Sequence, residues 1–149
     1  MDDGVTMDDE TTRLLRRALA LAAEARASGN PPFGSLLAGP DGAVLAEERN
    51  SSVTDDDITA HPELKLARWA ARELDPATAA ATTMYTSCQP CGMCAGALER
   101  SGLGRVVYAL SGEQLTGLKS PAAKAGFPHV PQEGPALYDE ARVPVEGYY

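Results

Sequence analysis

The sequence predicts a layered α/β fold, and three patterns carry that expectation. Apolar residues recur at helical spacing over 11–28 and 62–74, a third helix is expected over 91–101, and β-prone runs lie between them. The succession strand, helix, strand across 82–109 implies a parallel pair joined by a right-handed crossover. Upstream, Gly39-Pro40-Asp41-Gly42 separates two β-prone runs and marks a hairpin, because proline presets one turn dihedral and glycine permits another. Helices alternating with strands stack as layers on a common sheet.

Taken in order, residues 1–9 form an acidic leader. The first helix is expected over 11–28, with Leu14, Leu15, Ala18, Leu19 and Ala22 on its buried stripe and Arg13, Arg16, Arg17 and Glu24 off it. Gly29-Asn30 stops that helix, and Pro31-Pro32 forbids its continuation. Residues 33–38 and 43–47 are the hairpin strands. A polar loop over 49–59 follows, in which Asp55-Asp56-Asp57 reads as a solvated acidic run. The second helix runs over 62–74, with Leu64, Ala67, Trp69, Ala70 and Ala71 on or near its buried side, and Asp75-Pro76 ends it. Residues 82–86 form a strand that leads into a cysteine-rich segment. The third helix covers 91–101 with Gly102 as its cap, and 106–109 form the next strand. Beyond Leu118 the pattern weakens: Pro121, Pro128, Pro131, Pro135 and Pro144 interrupt the chain, and only 141–145 looks strand-like. The expectation is one domain over 1–149, with 119–149 as a tail that orders on contact and can close over a site.

Composition narrows the function. At 149 residues the chain is long enough to bury a full core. It contains no apolar run long enough to span a bilayer, and Met1-Asp2-Asp3-Gly4 lacks the basic-then-apolar form of a secretory signal. Three cysteines, two in a metal-like spacing, fit a reducing cytoplasm better than a disulfide framework. A formal charge of −8 weighs against a nucleic-acid polymer as substrate, since phosphate binding needs a basic surface. A small uncharged ligand fits better.

The chemistry concentrates in His61-Pro62-Glu63 and Cys88-Gln89-Pro90-Cys91-Gly92-Met93-Cys94. Cys91 and Cys94 are spaced to put both sulfurs on one side of a helix's first turn, and Pro90 suits the opening of that helix. A helix start favours negative charge, which helps thiols ionise. Pro62 gives His61 the same position on a second helix. Two thiolates and one imidazole make three Zn²⁺ ligands, with the fourth position left for water, the pattern of a catalytic site. Two thiolates also neutralise the ion, so its water needs a nearby carboxylate, and Glu63 lies within reach without being a ligand. A redox Cys-x-x-Cys, or a structural zinc with Cys88 as fourth ligand, are the competing readings. The His-x-Glu partner disfavours the first, and Pro90, which separates Cys88 from the helix, disfavours the second.

Together, Pro32-Phe33-Gly34-Ser35, Asn50 after the hairpin, Thr59-Ala60-His61-Pro62-Glu63 and Tyr85-Thr86-Ser87-Cys88-Gln89-Pro90-Cys91-Gly92-Met93-Cys94 resemble the cytidine and deoxycytidylate deaminase superfamily. The match of His61, Glu63, Pro90, Cys91 and Cys94 to H-x-E…P-C-x-x-C, the signature of zinc nucleobase deaminases, is its core. Over 10–118 the chain is most similar to the guanine deaminase and cytosine deaminase branch. That resemblance implies a three-layer α/β/α fold around a five-stranded mixed sheet, and a homodimer with active sites near the interface. It implies hydrolytic deamination of a small-molecule nucleobase by a zinc-activated water, with His61, Cys91 and Cys94 on zinc and Glu63 as proton shuttle. Asn50 would bond the base edge and Phe33 would line the ring. Separately, a guanine-like ligand needs an acidic partner for its ring N–H and amino groups, and Glu113, just past the strand that begins at Val106, is a candidate. The chain end, Glu146-Gly147-Tyr148-Tyr149, would close over the base through Tyr149. Pro62 stands where the family usually has alanine, and Gln89 where it often has glutamate; neither is a ligand position. The expected substrate is guanine or a related aminopurine or triazine. Cytosine or cytidine is the alternative, and a non-catalytic binding module of the same fold is the other. Read without the resemblance, Asn50 is equally a turn former, Phe33 a core residue, Trp69 a core residue, His129 a surface residue and Cys88 a small buried one.

Overall fold

The computed structural model describes residues 7–149, as two compact units that divide after Leu118. The six residues that begin the acidic leader lie outside the described residues. The first unit runs α1 (Asp9–Ala27), β1 (Gly34–Ala38), β2 (Val44–Arg49), α2 (Pro62–Glu73), α3 (Pro76–Ala80), β3 (Thr83–Cys88), α4 (Gly92–Glu99), β4 (Arg105–Leu110) and α5 (Gly112–Leu118).

One four-stranded sheet has the order β2-β1-β3-β4. β1 pairs antiparallel with both β2 and β3, and β3 pairs parallel with β4, so the sheet is mixed. Every residue of β1 is buried, as expected of a central strand covered on both faces. Alternation along it sorts the core into two halves. Leu36 and Ala38 pack with Leu14, Leu15 and Tyr85 beneath α1. Leu37 points the other way, with Met84, Leu66 and Ala70, and Trp69, Leu74 and Leu98 close that side under α2 and α4. The register agrees, Leu36 lying opposite Tyr85 and Leu37 opposite Met84. Three layers result, and cutting Leu36 or Leu37 to alanine removes about 2–5 kcal/mol.

Gly34 lets α1 come this close. A Cβ built there would lie 2.5 Å from the Ala22 amide nitrogen and 2.7 Å from the Ala18 carbonyl oxygen. The hairpin turn closes as expected, with the Gly42 amide donating to the Gly39 carbonyl (2.9 Å) and Gly42 at φ +80°.

Several expectations need correction. α1 buries Leu21 and Ala25 and leaves Leu19 exposed. In α2, Leu66 is buried and Ala71 is exposed. Asp75-Pro76 ends α2 and also starts α3, since Asp75 accepts from the Thr78 amide (2.9 Å) and proline occupies the first turn. Pro90 does not open α4; it precedes the N-cap, which is Cys91. Among the described residues the sheet has four strands rather than five. Among the described residues no strand follows β4, and the 141–145 stretch begins at the end of a short helix and continues in turns.

The second unit, Lys119–Tyr149, holds two short helices, α6 (Pro121–Lys124) and α7 (Tyr138–Ala141). Its prolines remove the backbone donors that a strand ladder requires. Among the described residues no helix is long and apolar enough to cross a membrane.

Candidate active site

Two helix starts build the site. Before α2, the Asp57 carboxylate accepts from the Thr59 amide (2.8 Å) and hydroxyl (2.7 Å), bonds that also hold its carboxyl below the ordinary range. The Ala60 amide donates to the Asp57 carbonyl, and the His61 amide to the Thr59 carbonyl (2.8 Å). The acidic run is therefore partly a turn-builder that delivers His61 to the N-cap of α2. Before α4, the Gln89 amide donates to the Leu110 carbonyl (2.8 Å), and the Gln89 side-chain oxygen accepts from the Gly112 amide (2.9 Å). These bonds fasten the cysteine segment to the turn between β4 and α5. Cys91 is the N-cap of α4 and Cys94 lies one turn inside it.

The two starts meet. His61 Nδ1 lies 3.7 Å from Cys91 Sγ and 3.4 Å from Cys94 Sγ, and the three atoms lie within 4.8 Å of one another. A tetrahedral zinc with Zn–S of about 2.3 Å and Zn–N of about 2.05 Å separates sulfur from nitrogen by about 3.6 Å. The donor set therefore matches the ion in type and in spacing. Cys94 is fully buried, His61 is half-buried and Cys91 is exposed, so the group is enclosed on one side and open on the other.

The electrostatics point the same way. Burial, then the neighbouring Glu63 carboxylate, then Cys91 push the Cys94 thiol well above its usual range. Burial raises the Glu63 carboxyl, against a hydrogen bond from its own backbone, and burial lowers the His61 imidazole. All three shifts favour the uncharged forms, and a divalent ion would favour the thiolate at Cys94 and the neutral imidazole at His61. Glu63 is 6% exposed, in the first turn of α2.

The remaining expected residues are more dispersed. Asn50 is buried; its amide donates to the Phe33 carbonyl (2.9 Å), and the next amide, of Ser51, donates to the Ala60 carbonyl beside His61 (3.0 Å). Asn50 and half-buried Phe33 thus lie on segments tied to the approach to α2. Glu113 is exposed in the first turn of α5 and is not part of the metal-ligating group. Tyr149 belongs to the second unit, where its ring meets Tyr148 edge-on at 4.9 Å. Trp69 packs on the core, Cys88 is buried and His129 is exposed.

Several supporting residues went unread in the sequence. The Asn30 side-chain oxygen accepts from the Val53 and Thr54 amides (3.0 and 3.1 Å), pinning the loop after Asn50. Ser35 and Thr86 share a buried hydroxyl contact of 2.7 Å between β1 and β3. Ser52 donates from both its amide and its hydroxyl to the Asn50 side chain. An Asn with a serine two positions on was a visible sign of that last arrangement.

The family model for the cytidine and deoxycytidylate deaminase zinc-binding region matches residues 8–110. The chain belongs to that family. It is a zinc-dependent deaminase hydrolase, and its cofactor is Zn²⁺. Guanine deaminase of Bacillus subtilis is 36% identical over 94% of this chain and 81% of its own length. Its crystal structure superposes with a TM-score of 0.70, covering 93% of this chain and 92% of that one at 32% identity. A probable cytosine deaminase of Schizosaccharomyces pombe is 30% identical over 96% of this deaminase and 94% of its own length. Two relatives are matched over a smaller share of themselves. The tRNA-specific adenosine deaminase of Haemophilus influenzae is 32% identical over 74% of this chain and 64% of its own. This chain spans only 24% of the tRNA(Ile)-lysidine synthase of Deinococcus deserti.

Proposed function

We propose that this deaminase acts on a free nucleobase, guanine or a related aminopurine or triazine, with His61, Cys91 and Cys94 holding zinc and Glu63 moving protons. The observation that carries the reading is the approach of His61 Nδ1 to both sulfurs, with the buried Glu63 carboxylate beside Cys94. Similarity to a guanine deaminase across most of both chains supports the purine. A charge of −8 supports a small substrate over a transfer RNA, whose phosphates call for a basic surface.

Zinc at this site supplies a Lewis acid that makes water nucleophilic near neutral pH. Glu63 does the proton work. Fixed by α2 two residues past His61, it takes a proton from the attacking water and gives it to the ring nitrogen next to the amino-bearing carbon. It then takes the remaining proton from the new hydroxyl and gives it to the amine as the C–N bond breaks, so that water and the amino heterocycle become the oxo heterocycle and ammonia. Phe33 walls the ring, and Asn50 holds its edge. Backbone amides at the start of α4 stabilise negative charge on the incoming oxygen. Glu113 is the candidate acidic partner for the ring N–H and amino groups of a guanine-like ring.

Cytosine is the second reading, favoured by the relative that matches along nearly its whole length. A homodimer is proposed as well; exposed Met7, Leu19 and Tyr108 line an apolar groove suited to a second copy, and sedimentation measures it.

Ammonia release from guanine, cytosine, adenine and their nucleosides tests the substrate. Guanine turned over fastest is the expected result; cytosine turned over fastest transfers the assignment to the second reading. Glu63→Gln is expected to keep zinc and lower kcat by about 10²–10⁴-fold, the usual weight of general acid–base catalysis. Undiminished turnover removes Glu63 from the mechanism.

A further inference from the structure

We propose that Ser52 is a positioning residue that fixes which end of the Asn50 carboxamide faces the substrate, so that the site offers an N–H donor there and selects rings presenting an acceptor. The proposal deepens the nucleobase reading above and rests on it for the identity of the ring.

Asn50 Oδ1 accepts from the Ser52 amide and from the Ser52 hydroxyl, both at 2.8 Å. A backbone N–H can only donate, so the flipped carboxamide would set an NH₂ group against it, donor facing donor. The oxygen is therefore committed to Ser52, and the nitrogen must point the other way. Asn50 is only 1% exposed, and among the described residues its Nδ2 has no hydrogen-bond partner. Among the described residues no fully enclosed side-chain nitrogen or oxygen lacks a partner, so this nitrogen keeps a small exposed surface. An amide with its oxygen committed and its nitrogen still reachable is poised for a ligand atom, and a ligand that covered the nitrogen without accepting from it would leave a buried donor unpaired.

The loop that carries it is held on three sides. The Asn50 amide is bonded to Phe33, the Ser51 amide to the peptide before His61, and the Val53 and Thr54 amides to Asn30. Lys65 Nζ reaches the Ser51 hydroxyl at 2.9 Å from the second turn of α2. The open amide thus keeps its place relative to the start of α2. A carbonyl oxygen or a bare ring nitrogen satisfies it, and a ring N–H or amino group does not. A site built around such a bond rejects the analogue that cannot make it far more strongly than an apolar pocket rejects a changed methyl.

The test uses full-length, zinc-loaded protein and two kinds of readout. Hydrogen exchange by NMR reads the Ser52 amide directly. It is expected to be protected in the wild type and in Asn50→Asp, which keeps the accepting oxygen, and unprotected in Asn50→Ala. A wild-type Ser52 amide exchanging as fast as an open loop overturns the proposal, whatever the enzyme's substrate proves to be. Kinetics with guanine, or with cytosine if that is the base turned over, read the consequence. Ser52→Ala retains only the backbone donor and is expected to raise KM about fivefold, the weight of one hydrogen bond, with kcat within about twofold and zinc content unchanged. Ser52→Thr restores the hydroxyl and the wild-type KM. Asn50→Asp, with an acceptor in place of the open donor, is expected to lose about 10²-fold or more in kcat/KM while keeping zinc. An unchanged KM in Ser52→Ala, loss of zinc in that variant, or failure of Ser52→Thr to restore KM contradicts the positioning role. If neither base is turned over, the substrate assignment falls, and amide exchange alone decides the inference.

Discussion

Four of the helices of the first unit begin in two ways. α1 and α3 start behind aspartates: Asp8 accepts from the Thr11 amide and Asp75 from the Thr78 amide. α2 and α4 start behind His61 and Cys91, neither of which makes a side-chain cap bond. A good N-cap contributes about 0.5–2 kcal/mol, so these two helices forgo local stability at their first residue. Those same residues come together with Cys94 around one point. Where the local rule is obeyed the helix start is capped locally, and where it is broken the N-cap residue belongs to the group proposed to hold zinc.

Substitution at the uncapped starts should produce the largest loss of function. His61→Ala is expected to abolish zinc binding and reduce turnover by about 10³-fold or more, because only two ligands remain. Metal analysis with a full complement of zinc in that variant would break the contrast between the two kinds of start. Next comes the packing that supports both kinds. Gly34→Ala drives a methyl into the α1 backbone, where neither atom is the end of a flexible side chain, and is expected to destabilise by about 3 kcal/mol in urea denaturation. A midpoint near wild type would mean that α1 and β1 separate easily.

Two smaller effects sharpen the contrast. In zinc-free protein, Cys91→Ser supplies the missing cap and is expected to raise stability by about 0.5–1 kcal/mol while removing a ligand. A fall in the melting temperature of the zinc-free protein would show that the α4 start is not under-capped. The Asp75 carboxyl is held below its ordinary value of 3.8 by hydrogen bonds from the Thr78 amide and hydroxyl. A carboxylate depressed on folding stabilises above its unfolded pKa and loses that contribution as pH falls through the folded one. Asp75→Ala should therefore melt slightly earlier than wild type near neutral pH, and the gap should close in strong acid. A gap that persists there would assign the loss to packing.

Much of this was legible in the chain because the chemistry is short-range. Pro62 after His61, and a Cys-x-x-Cys after a β-prone run, name two helix starts with ligands at their lips. The hairpin was legible for the same reason, its turn residues stating their own dihedrals. The α1 stripe was harder. An alanine-rich helix carries apolar residues on every side, so Leu19 and Leu21 fit periodicity equally well and only contact with β1 separates them. α3 was missed because Asp-Pro reads both as a stop and as a start. The count of five strands came from the resemblance and not from any fifth run with strand spacing. In the sequence, Asn50 fits both a turn former and a substrate contact. Its carboxamide serves the turn with its oxygen and leaves its nitrogen over, so the two readings belong to opposite ends of one group.

X-ray absorption at the zinc edge of the full-length protein tests the metal assignment most directly. Two sulfur neighbours at about 2.3 Å, with nitrogen and oxygen neighbours near 2.0 Å, are expected. A shell of four sulfurs, or one holding no sulfur at all, would contradict it.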